Sequence, residues 1–166
     1  MRLPRARSQA VDEAEAVALC WAAASLVGDA VRIAAIGGSA GCFAHEAAAD
    51  PERTTVCADV DRDASRQRPN VAFLDRAIAP ADGPFDLVVA TNGVDLRDCA
   101  TLAPRLLFAT AEGTAARLDA TLRGFYARVD WYALPDPCVP HVIPVDATTS
   151  FSSLIAACGE PLRRGA

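Results

Sequence analysis

The stretch Val31-Arg-Ile-Ala-Ala-Ile-Gly-Gly-Ser-Ala-Gly-Cys-Phe-Ala-His45, with the acidic Asp59 eighteen residues beyond Gly41, limits the folds open to this chain more than any other segment. An apolar run of strand length meets a glycine-rich turn, then a helix, then a second strand ending in a carboxylate. Small residues let the backbone turn sharply and approach a ligand closely. The helix that follows presents free amide N–H groups at its start, and an acid at the tip of the neighbouring strand can accept hydrogen bonds from two ribose hydroxyls. The plainer reading is turn chemistry common to any α/β domain, with Asp59 a solvated turn carboxylate. Asp61 competes for the same role.

The rest of the chain extends this pattern. The spacing of Ala14, Val17, Ala18, Trp21, Ala24 and Leu26 predicts an amphipathic helix over 11–27, closed by Gly28-Asp29. Strands are predicted over 31–36, 54–58, 71–74, 85–90 and 105–110, and helices over 42–49, 61–68 and 112–126, with one or two helical turns over 96–103. Two final strands, 129–134 and 139–145, are joined by the proline-rich Pro135-Asp-Pro-Cys. The tail from Thr148, with Phe151, Leu154 and Ile155, reads as one packed turn before it becomes polar. Strands alternating with helices and closed by a strand pair imply a Rossmann-like three-layer α/β sandwich. Its sheet is mostly parallel, with one antiparallel strand near the C-terminus. At 166 residues the expectation is a single domain over 1–166, with a loose arm at 1–10 and a polar tail at 159–166.

Composition narrows the function. A hydrophobic fraction of 52% supports a sizeable core, and a net charge of −5 argues against a nucleic-acid backbone as partner. All the basic residues are Arg, so a Lys nucleophile, a Schiff base and a P-loop lysine are excluded. The six cysteines form no C-x-x-C pair, which speaks against zinc, and several lie in apolar runs where Cys acts as a small buried hydrophobe. No metal site is expected. The basic Met1-Arg-Leu-Pro-Arg-Ala-Arg is followed by Asp12, Glu13 and Glu15 rather than by an apolar stretch, so neither a signal peptide nor a membrane span is expected. A cytoplasmic location is the default.

The motifs Ile36-Gly-Gly-Ser-Ala-Gly41, Ala58-Asp-Val-Asp61, Asn70-Val-Ala-Phe-Leu74 and Phe85-Asp-Leu-Val-Val89, in that order, resemble class I S-adenosylmethionine (SAM)-dependent methyltransferases. The segment 125–137 is similar to the closing strand pair of many small-molecule members, and the resemblance covers roughly residues 11–158. It implies SAM as cofactor. Gly37, Gly38, Ser39 and Gly41 would lie against its methionine end, Asp59 on its ribose, and Val60 with Asp61 beside the adenine. Asp75-Arg76-Ala77 would form the far edge, and Thr91 belongs with the cofactor-binding set. The chain departs from the family at Ala35, often acidic, at Ser39, the middle glycine of the loop, and at Thr91-Asn-Gly-Val-Asp-Leu96, where many relatives carry Glu and His. The connection after the fifth strand leaves room for one helix only, so the acceptor side is expected to be open.

Asn92 and Asp95 are the candidate catalytic residues, because they follow the fourth strand at the edge where open α/β sheets bind ligands. Asp95 serves equally as an N-cap for the helix beginning near Leu96. His45 reads as a surface histidine and His141 as structural, within the last strand pair. The leading function is a SAM-dependent methyltransferase acting on a small-molecule acceptor, in the manner of specialised metabolism. The alternative is a non-catalytic methyltransferase-like protein that binds SAM or acts as a scaffold. Either a homodimer or a heterologous protein partner is expected to cover the open face around Trp21, Phe151 and Leu154, or the tail folds back and covers it within one chain; no nucleic acid or membrane partner is expected.

Overall fold

The computed structural model describes residues 23–37, 43–44, 47–58, 68–91, 94–110, 115–136, 141–148 and 154–162. Its strands are β1 (Arg32–Ile36), β2 (Thr54–Ala58), β3 (Val71–Leu74), β4 (Leu87–Thr91), β5 (Leu106–Thr110), β6 (Tyr126–Ala133), β7 (Ile143–Val145) and β8 (Leu154–Pro161). Two helices, α1 (Leu96–Leu102) and α2 (Ala115–Leu122), and a 3-10 turn at Pro80–Asp82 complete the described elements. All eight strands form one sheet in the order β3-β2-β1-β4-β5-β8-β6-β7. The first five pair in parallel, whereas β8 runs antiparallel to both β5 and β6. The Rossmann-like, mostly parallel sheet read from the sequence is the observed one. The short β7 adds an antiparallel edge beside β6.

The central strands are apolar along their buried lengths because both their faces are covered. Side chains alternate between the faces with the two-residue period of a strand. Ala34, Val88, Ala90, Leu106 and Phe108 join α1 and α2 on one side. Ile33, Leu87, Val89, Leu107 and Ala109 join Ala23, Val27, Phe43 and Ala47 on the other. Trp131 and Tyr132 divide as neighbours on a strand must: Trp131 is buried toward α2 and Tyr132 packs against the opposite cluster. Asp119 of α2 fixes Trp131, accepting from its Nε1 at 2.8 Å and from Arg123 Nε at 2.9 Å.

The N-terminal edge of the sheet is braced by polar residues that each stand just before a strand. Asp86 accepts from the backbone N–H groups of Val31 and Arg32, both at 2.9 Å. Arg53 donates to the carbonyls of Ala30 and Gly28. Asn70 Nδ2 gathers the carbonyls of Ala48, Asp50 and Arg53, and Arg105 reaches the Leu26 carbonyl and Asp29. Side-chain-to-backbone bonds of this kind satisfy the groups that a strand end leaves unpaired.

Four sequence expectations change. The tail is not a packed turn: residues 154–161 form β8, and Gly159, Glu160 and Pro161, expected in a polar tail, are its last residues. The slot between β5 and β6 imposes the extended state on a segment whose Ala156, Ala157, Gly159 and Pro161 have modest strand propensity. Leu154 is 1% exposed inside that strand, so it does not belong to an open face; Trp21 and Phe151 lie outside the described residues. The helix expected to reach 126 ends at Leu122, because the turn through Arg123 and Gly124 releases the chain into a longer β6. Finally, His141 precedes β7 and is exposed rather than lying within the strand pair. No helix among the described residues is long and apolar enough to cross a membrane.

Candidate functional site

The parallel strands deliver their C-terminal ends to one edge. Ile36 pairs with Ala58 of β2 on one side and with Ala90 of β4 on the other, so β1, β2 and β4 end side by side. From β1 the chain builds outward to β2 and β3. It then returns to the other side of β1 as β4. The β1–β4 boundary is therefore the point where strand order reverses, and open α/β sheets bind ligands outside the strand ends at such a point.

Two predicted site residues meet there. Gly37 leaves β1 buried, with φ +110°, a conformation that L side chains rarely adopt. Its N–H donates to the Ala58 carbonyl of β2 at 3.3 Å. A Cβ added to Gly37 would overlap Thr91 Oγ1 and lie 3.3 Å from Thr91 Cβ. The hydroxyl that ends β4 thus fills the space a side chain at 37 would need, and the turn after β1 is drawn against β4.

The other described candidates are engaged locally. Asp75 is exposed just after β3. Arg76 forms a fork with Asp82 of the 3-10 turn, at 2.6 and 2.7 Å, while Asp82 also accepts from Ala79 N at 2.8 Å. The Arg76 guanidinium, with the Ala79 N–H, holds the Asp82 carboxyl down at about 2. Asp95 is the N-cap of α1, accepting from Arg97 N at 2.9 Å. Gly38, Ser39, Gly41, Asp59, Val60 and Asn92 lie outside the described residues, as do Asp61 and His45.

Sequence reasoning missed two features of this edge. One is the direct apposition of Gly37 and Thr91, which needs the strand order and not the motif alone. The other is the position of His141. Since β6 runs parallel to β5, its C-terminal end and the residues entering β7 share the edge where β4 and β5 finish. Four strand spacings separate β4 from β7, roughly 19 Å along the sheet, which leaves His141 remote from Thr91. The described cysteines Cys57, Cys99 and Cys158 are buried, and burial pushes each thiol up to about 12, so they are neutral core residues at pH 7.

Comparison with solved structures gives the fold its relatives. The N-terminal domain of EvdMO1 with SAH bound superposes with a TM-score of 0.58 at 14% identity, over 89% of this chain and 81% of that one. A protein from Nostoc punctiforme PCC 73102 described as an O-methyltransferase gives 0.51 at 14% identity, over 84% of this chain and 55% of that one. A mutant of MtNAS in complex with S-adenosylmethionine gives 0.55 at 15% identity, over 89% of this chain and 62% of that one. No protein-family model and no curated protein sequence matches the chain. At these identities the likeness is one of fold: the chain shares its Rossmann-like, mostly parallel sheet with proteins solved with SAH or S-adenosylmethionine bound.

Proposed function

We propose that this chain binds SAM at the β1–β4 edge and transfers its methyl group to a small molecule. The observation that carries the reading is the meeting of Gly37 and Thr91 at the point where strand order reverses, beside the strand that leads into Asp59. The described residues fit the cofactor. A glycine with left-handed backbone, drawn in against Thr91, turns the chain sharply out of β1 at the edge where sheets of this kind bind ligands. Gly37, with Gly38, Ser39 and Gly41, would hold the methionine end of SAM. Asp59 would hold the ribose, Val60 and the 75–76 stretch would border the adenine, and Thr91 would close the β4 side.

SAM supplies a methyl group on a positively charged sulfur, an activated electrophile, so an acceptor oxygen or nitrogen requires alignment more than activation. On the acceptor side Asn92 and Asp95 follow β4. We assign Asn92 to orienting the acceptor and Asp95 to taking its proton. The second reading, SAM binding without turnover, is favoured by one observation: Asp95 Oδ1 already accepts the Arg97 N–H as the cap of α1.

The test is Asp59→Ala. Loss of a charge-assisted pair of hydrogen bonds removes about 1.5–3 kcal/mol. Calorimetry should therefore show SAM affinity at least tenfold weaker in a folded variant. Wild-type affinity in that variant would remove Asp59 from the site.

A further inference from the structure

Gly37 and Thr91 are separated by 54 positions in sequence, yet Thr91 Oγ1 stands where a side chain on Gly37 would go. We propose that Thr91 is a positioning residue: its Oγ1, seated against the Gly37 backbone, fixes the path by which the chain leaves β1, and it acts on the cofactor site through that turn.

Three observations support this. A Cβ built on Gly37 would overlap Thr91 Oγ1 and meet Thr91 Cβ and N at 3.3 and 3.5 Å, so the side chain and main chain of Thr91 together leave no space for a side chain at 37. Thr91 is the last residue of β4, whose preceding residues Leu87, Val88, Val89 and Ala90 are all buried, so its main chain is anchored by the core and cannot retreat. Gly37 is itself tied on the opposite side by its N–H to the Ala58 carbonyl. The turn is thus clamped between β2 and β4, with a hydroxyl oxygen as the spacer on the β4 side. A methyl group is larger than a hydroxyl oxygen, so Thr→Val is not volume-neutral here. Valine would push the turn away from β4, alanine would leave it unsupported, and serine would retain the spacer.

The inference rests on the SAM-binding reading only for its consequence; the clamp itself can be read without a cofactor. The experiment is amide hydrogen exchange at Gly37, followed by NMR in cofactor-free protein, for wild type, Thr91→Ser, Thr91→Val and Thr91→Ala. SAM titration of the same four proteins is read in parallel. Expected are exchange within threefold of wild type for the serine variant and more than tenfold faster for valine and alanine. SAM affinity should fall in the same order, with the valine variant melting below wild type through overpacking and still folded at the temperature of the exchange measurement. Equal exchange in all four, or serine as fast as alanine, would overturn the positioning role. Should alanine or valine fail to fold, the other carries the comparison with serine. A wild-type protein that binds no SAM would overturn the parent reading, while the exchange rates would still decide the role of Thr91.

Discussion

Tyr126 is fully buried between α1 and the β6–β8 pair, and its Oη has no hydrogen-bond partner among the described residues. Burial pushes its phenol well above the ordinary range. A hydroxyl taken out of water without a partner costs free energy that the ring alone would not incur. Tyr126→Phe should therefore be no less stable than wild type and more stable by about 1 kcal/mol, raising the melting temperature by about 2–4 °C. A fall in melting temperature would show that the hydroxyl has a partner in solution. Asp82 makes an opposite case, a charged group that is strongly engaged. Its folded-state carboxyl sits at about 2, below the ordinary 3.8, so its contribution to stability is present above about pH 4 and is lost as the pH falls toward 2. NMR titration should find a midpoint near 2 in wild type and a return toward 3.8 in Arg76→Gln. An unchanged midpoint would mean that the Ala79 N–H alone sets it.

At the scale of elements, the central strands were legible in the sequence and the last one was not. β1, β4 and β5 are apolar runs of strand length bounded by Gly, Pro or polar residues, and both faces of each are covered, so local pattern and tertiary place agree. β8 reads Leu-Ile-Ala-Ala-Cys-Gly-Glu-Pro, where the small residues carry little strand signal. They suit the interior of a sheet for a reason found only in three dimensions. Arg128 lies across Gly159 on the facing strand, and a Cβ there would come within 3.1 Å of its Nη2. The site was half legible for a similar reason. Glycine turns and strand-end acids have sequence signatures, and so did the N-cap alternative for Asp95, which accepts from Arg97 N two residues on; Arg76, read as the far edge of the cofactor, spends its guanidinium on Asp82 six residues away. The central place of β8 yields a prediction. Ending the chain at residue 153 removes a strand bonded on both sides and withdraws buried Leu154, Ile155, Ala156 and Cys158 from the core. Burial of Leu154 and Ile155 alone is worth about 1.5–3 kcal/mol each, against a typical total stability of about 5–15 kcal/mol. Circular dichroism should show no cooperative unfolding in that truncation, whereas a chain ending at 162 should melt like wild type. A cooperative transition in the shorter chain would contradict the place given to β8.

The whole molecule divides its two sheet edges by chemistry. At the N-terminal edge Asp86, Arg53, Asn70 and Arg105 hold backbone groups of the connections that enter the strands. These bonds tie down an edge whose residues have no role in the proposed reaction. At the C-terminal edge Gly37 and Thr91 close on each other at the point of strand reversal, and the connections that leave it carry Asp59, Asn92 and Asp95. Binding residues on loops held by a rigid scaffold are the usual arrangement of such sheets. The central claim is that this second edge is a working SAM site. Calorimetric titration of the wild-type chain with SAM, and with its demethylated product, tests it most directly. The account predicts saturable one-to-one binding of both ligands, weakened at least tenfold by Asp59→Ala; no heat of binding from either ligand with the folded wild-type protein would contradict it.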